Sequence, residues 1–75
     1  MYHTIEFKRE LVIYLQISRK QPLEQVSVRK GTRLQAQLRP YVTETEDGFI
    51  EMADLFFEDG SATAMIPFAC FAFVE

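Results

Sequence analysis

Apolar and polar residues alternate at period two along much of this chain, the spacing of a strand with one buried face. Across ELVIYLQIS, residues 10–18, Leu11, Ile13, Leu15 and Ile17 share one side, with Val12, Tyr14, Gln16 and Ser18 on the other. Before it, Ile5 and Phe7 alternate with polar neighbours, which predicts a short edge strand within residues 1–9. Val26 and Val28 alternate with Gln25, Ser27 and Arg29 in a third strand. In the clearest strand, Leu34, Ala36, Leu38, Pro40 and Val42 face one way, and Arg33, Gln35, Gln37, Arg39, Tyr41 and Thr43 the other. Pro40 has no N–H to give to a ladder, so it belongs at an edge or a bulge.

From Phe49 the alternation splits. Ile50, Met52 and Phe56 compete with Phe49, Ala53, Leu55 and Phe57 for the inward side. A bulge near Ala53-Asp54 would let both sets reach the interior. Residues 62–66 form a further short strand stopped by Pro67, Phe68–Phe71 reads as one helical turn, and Ala72-Phe73-Val74 as a last strand. Turns fall at Arg19–Pro22, Lys30-Gly31-Thr32, Glu44–Gly48 and Glu58–Ser61, three of them carrying a glycine where positive φ costs nothing. Phe7, Leu11 and Leu15 also recur at spacing four, so a helix over residues 6–20 stays open, although the β-branched content favours the strand.

Five or six short strands with turn signals between them predict an all-β fold, a small barrel formed by residues 1–75 as a single domain. The unit from Phe49 to Val74, strand–turn–strand, helical turn and final short strand, resembles the ending of SH3-like barrels in layout. With a helix at residues 6–20 instead, the layout resembles an Sm-like barrel. No sequence motif of either family is present.

Composition narrows the classes. A chain of 75 residues buries only roughly 60% of its unfolded surface, so its stability leans on apolar packing or self-association. Nearly half its residues are hydrophobic, with seven Phe and three Tyr, enough for a core. No stretch reaches the ~20 apolar residues of a membrane helix, the first residues lack the apolar centre of a signal peptide, and one unpaired cysteine suits a reducing compartment. The expected location is cytoplasmic. The eight basic residues all lie between Lys8 and Arg39, and residues 1–39 hold three acidic ones, whereas residues 40–75 hold eight acids and no base. That segregation points either to a basic binding face or to two halves that pair within one fold.

The side chains offer no catalytic constellation. Glu51 and Asp54 sit three apart on a strand, hence on opposite faces. Cys70 lies between Phe and Ala without a base to lower its pKa, the setting of a buried inert thiol. His3 has no ligand partner at metal spacing and is expected to be exposed, and the three glycines lie in separate turns rather than in a phosphate loop. No metal, cofactor or enzymatic activity is expected. The basic doublets Lys8-Arg9, Arg19-Lys20 and Arg29-Lys30, with Tyr14 and Tyr41, are the candidates for single-stranded nucleic-acid binding, which needs a basic rim and stacking aromatics. The competing expectation is that Arg33 and Arg39 pair with Glu51, Asp54 or Glu58 across neighbouring strands.

The Phe-rich C-terminal stretch carries more apolar bulk than so small an interior holds. Phe49, Met52, Phe56, Phe57, Met65, Phe68 and Phe71 are therefore the candidates for a protein interface. The leading expectation is a non-enzymatic protein-binding module or accessory subunit that self-associates as a homodimer or higher oligomer. The alternatives are a nucleic-acid-binding small barrel and a phage or mobile-element inhibitor of a host protein.

Overall fold

The computed structural model describes residues 1–74. It is almost wholly β, with seven strands: β1 (His3–Phe7), β2 (Leu11–Leu15), β3 (Glu24–Val28), β4 (Arg33–Thr45), β5 (Gly48–Phe57), β6 (Ala62–Pro67) and β7 (Phe71–Phe73). A single 3₁₀ turn, Phe68–Cys70, separates β6 from β7. The helix held open over residues 6–20 does not form. That segment contains the end of β1, a turn and all of β2, as its β-branched run favours.

Strands β6-β5-β4-β1-β7 make one antiparallel sheet, and β2 and β3 a separate hairpin. One backbone bridge among the described residues joins the two sheets, Gln16 to Ala62, with N–O distances of 2.8 and 3.0 Å. Among the described residues no ladder closes the remaining seam, so the sheets do not form a continuous barrel. The strand count is seven rather than five or six, because the lead-in and the closing segment both pair fully. β1 is no edge either: Ile5 faces Leu34 of β4 on one side and Phe73 of β7 on the other. Local alternation marked its inward face correctly. Its central place depends on partners far away in the chain.

The core gathers Ile5 and Phe7 from β1, Ile13 and Val28 from the hairpin, Ala36, Ala53, Leu55 and Ile66 from β4–β6, and Cys70 with Phe71. Leu11 and Leu15 pack around it, so the predicted inward face of β2 holds as far as Leu15; Ile17 lies beyond the strand and is exposed. The Cys70 thiol is buried, as its apolar neighbours imply. His3 is half-buried instead of exposed, its ring edge-on to Phe73 with centroids 5.5 Å apart.

The turn into β4 is tied to β1. Gly31, at φ 90°, donates its N–H to the Phe7 carbonyl at 2.8 Å, and Phe7 donates to Thr32 at 2.9 Å. A left-handed residue is needed to present that N–H inward, and glycine adopts it without strain. β4 and β5 then run in unbroken register from Ala36–Phe57 to Thr45–Gly48. β1 pairs only with Arg33–Ala36 of β4. Pro40 therefore has a strand on one side alone, the edge position that its missing N–H demands.

The ambiguity of β5 resolves by period two: Ala53, Leu55 and Phe57 turn inward, and Met52, Asp54 and Phe56 outward. The irregularity expected near Ala53-Asp54 is there, but the extra residue belongs to β6. Ala53 pairs with Ile66 and Leu55 with Thr63, leaving Ala64 and Met65 opposite Asp54 alone. This resets the phase of β6, so Thr63 and Ile66 both point into the core.

Candidate functional site

The outer face of the main sheet is built on β5. Ile50, Met52, Asp54 and Phe56 follow one another at period two, opposite Thr43, Tyr41, Arg39 and Gln37 of β4. On the other flank the β6 bulge pushes Met65 onto the same side. Its φ of 61° makes it the one non-glycine residue at positive φ among those described. A Cβ there meets the following carbonyl, a cost of about 1–2 kcal/mol that favours Gly or Asn at such positions.

Asp54 holds this region together. It accepts the Met65 N–H at 3.2 Å and pairs with the Arg39 guanidinium at 3.4 Å. The Tyr41 hydroxyl also donates to it. Burial of that phenol, and then its contact with the Asp54 carboxylate, holds the Tyr41 pKa above its ordinary value of 10.0. One carboxylate opposite a bulge thus fixes a backbone N–H, a phenol and a guanidinium.

Beside the bulge lies a groove of about 360 Å³, lined by Tyr14, Leu23, Phe56, Ala62 and Met65. Tyr14 (54% exposed), Phe56 (40%) and Met65 (61%) leave much of their surface open to solvent. Its only carboxylate is Asp54, already partnered. A second cleft, about 730 Å³, opens between the hairpin and the start of β4, with Ile13, Leu15, Val26, Leu34 and Phe57 on its walls. Arg29, Arg33, Glu58 and Asp59 also line it. The Ser61 hydroxyl and N–H donate to Asp59 at 2.6 and 2.9 Å and hold its carboxyl below the usual range.

Of the interface residues predicted from sequence, Met65 and Phe56 meet at the groove, with Met52 half-buried on the same face. Phe49 is exposed at the hairpin tip, but by alternation on the opposite side. Phe71 is core, only 5% exposed, and Phe57 and Phe68 pack against that core. Phe71 is therefore corrected from contact surface to fold, whereas Phe57 and Phe68 are only partly buried. Tyr14 and Leu23 also line the groove, and Ile50 is exposed on the same face, although alternation does not mark them as contacts; Leu23 stands alone after Pro22, with no periodicity to place it.

The three basic doublets do not form one patch. Lys8-Arg9 and Arg29-Lys30 come together, because the two turns are joined through the hydrogen bonds of Phe7 with Gly31 and Thr32. Arg19-Lys20 lies at the far end of the hairpin, beside the Gln16 bridge. Tyr14 opens on the groove and Tyr41 on Asp54, so neither stands at the centre of the joined doublets. Arg39 pairs with Asp54 as expected, whereas Arg33 turns to Glu6 at 2.9 Å, which Lys8 also contacts at 3.3 Å. Among the described residues, no ion pair joins Glu44, Glu46 or Asp47, around the β4–β5 turn, to a basic side chain.

Among the described residues no group of three His, Cys, Asp or Glu side chains is placed to hold a metal ion. No helix is long and apolar enough to cross a membrane. No protein-family profile matches this chain, and neither a curated protein nor a solved structure matches it significantly.

Proposed function

We propose that this chain is a protein-binding module, an accessory subunit without catalytic chemistry of its own, which associates with copies of itself through the outer face of β4–β6. Met65 is the observation that carries the reading. A bulky apolar residue occupies a left-handed position, is held there by Asp54, and leaves most of its side chain outside the core. Packing does not repay that strain within the monomer. Bulges re-aim side chains, and this one turns a thioether toward exposed aromatic surface. Flexible Met beside Tyr and Phe is a composition common in protein contact surfaces.

The fold of the module is an SH3-like small barrel. Strand order β7-β1-β4-β5-β6, the β2–β3 hairpin inserted between β1 and β4, and a 3₁₀ turn before the closing strand all support that layout. The Gln16–Ala62 bridge is the point at which the hairpin leans onto the sheet.

Light scattering on a sizing column across a range of loading concentrations tests self-association. Mass should rise with concentration and fall back in a Phe56→Ser variant. A mass that stays at one chain throughout removes self-association from the reading.

A second reading rests on the convergence of Lys8-Arg9 with Arg29-Lys30: a cationic corner for single-stranded nucleic acid. Its signature is retention on an oligonucleotide at low salt, lost steeply as salt rises. Passage through such a column at low salt without delay rules it out.

A further inference from the structure

We infer that the partner of the outer face is a second copy of this chain, docked antiparallel about a twofold axis so that each hairpin tip seats in the other copy's groove. This deepens the protein-binding reading and rests on it.

Three features of the face lead there. First, an apolar stripe runs along it, from Ile50 near the tip through Met52 to Phe56 and Met65 at the groove. Ile50 and Phe56 are six residues apart on one strand, about 20 Å, so tip and groove lie toward opposite ends of a single surface. A surface with a protrusion at one end and a hollow at the other is complementary to itself only when one copy is reversed. A twofold axis provides that reversal, each residue making the same contact in both directions.

Second, charge is ordered along the same stripe. Glu46 and Asp47 stand at its tip, in the turn between β4 and β5. The groove end carries Arg19 and Lys20 in the loop whose Gln16 and Leu23 line the hollow. Antiparallel docking sets each acidic tip against a basic loop. Parallel docking would set acid against acid, a repulsion that specific interfaces avoid. At the axis the two Asp54 carboxylates approach one another, each already joined to its own Arg39.

Third, the face is small. Ten residues of β5 across three strands span about 33 by 14 Å, or roughly 450 Å² per copy. That lies below the range of stable interfaces, among the weak and transient ones. The dimer is therefore a weak one, with a dissociation constant in the range of about 10 μM to 1 mM, sensitive to salt.

Sedimentation equilibrium of the intact chain at low and high salt, with two charge reversals, is the test. Glu46→Lys with Asp47→Lys reverses the tip, and Arg19→Glu with Lys20→Glu reverses the loop. These positions lie at turns outside the core, so the fold should persist, and far-ultraviolet circular dichroism checks it. Each reversal alone should weaken the dimer about tenfold, and both together should restore it, because a basic tip then meets an acidic loop. Dimers indifferent to either reversal, or effects that merely accumulate when both are combined, overturn the antiparallel pairing and leave the protein-binding reading standing. A chain that stays monomeric at low salt and millimolar concentration overturns both the pairing and self-association.

Discussion

The β4–β5 hairpin is two regions in one element. At its root, Ala36 faces Phe57 and Leu38 faces Leu55, and this end is packed into the core. Toward its tip, Val42 faces Glu51 and Thr43 faces Ile50, and most of the side chains meet solvent. The register between the strands never slips, and the period of two never breaks. Only the cover changes: β1 pairs with β4 no further than Ala36, and Val42, Glu44, Phe49, Ile50 and Glu51 are exposed. Alternation therefore tells which side chains share a face. It does not tell whether that face has anything to lie against.

The sharpest way to break this comparison is to truncate one residue from each region. Leu55→Ala, fully buried at the root, should cost about 3 kcal/mol, in the range for a large side chain removed from a packed core. Ile50→Ala near the tip should cost less than about 0.5 kcal/mol, as surface changes do. Urea denaturation of the monomer measures both, and equal losses would mean the tip is as well supported as the root.

A smaller effect has the opposite sign. Met65→Gly releases the positive φ at the bulge and should raise monomer stability by about 1 kcal/mol in the same assay, while it weakens self-association. Lower stability in this variant would show that Met65 packs productively within its own chain.

The smallest effect is pH-dependent and lies at the root end. Glu6 is held below its ordinary 4.5, first by the Arg33 guanidinium and then by Lys8. A depressed carboxyl stabilises the fold above its unfolded pKa and loses that contribution as pH falls through the folded pKa. Wild type should thus melt slightly higher than Glu6→Gln at pH 7, and the two melting curves should converge below about pH 4.5. A constant gap across that range would assign the difference to packing rather than to charge.

Much of the fold was legible because one signal, alternation, is local. It located β2, β3 and β4, the inward set of Ile5 and Phe7, and the turns at Gly31, Gly48 and Gly60. Non-local pairing is invisible to it, and so β1 looked like an edge although it lies between β4 and β7. The same limit explains Phe71. Three phenylalanines close together read as surplus, but the 3₁₀ turn aims Phe71 at the core. The exposed outer face was half legible through Phe56 and Met65. Tyr14 and Leu23 join it only because the Gln16 bridge brings the hairpin over β6. Charge segregation was plain in the chain, but not its outcome. Arg33 had acids to choose from on several strands, and the register of β1 with β4 settled the choice by placing Glu6 directly opposite.

The position of β1 also sets the order in which the molecule can be assembled. Its five residues precede both of their partners, Arg33–Ala36 and Phe71–Phe73, and the latter are separated from them by most of the described residues. Contacts that span such distances pay loop-closure entropy before any packing rewards them, so a topology of this kind folds slowly for its size. Until β7 arrives, Ile5 and Phe7 lack one neighbour, and the edge they leave open is ready to pair with another chain. The closing strand of three residues therefore covers an edge of β1 that would otherwise stand open.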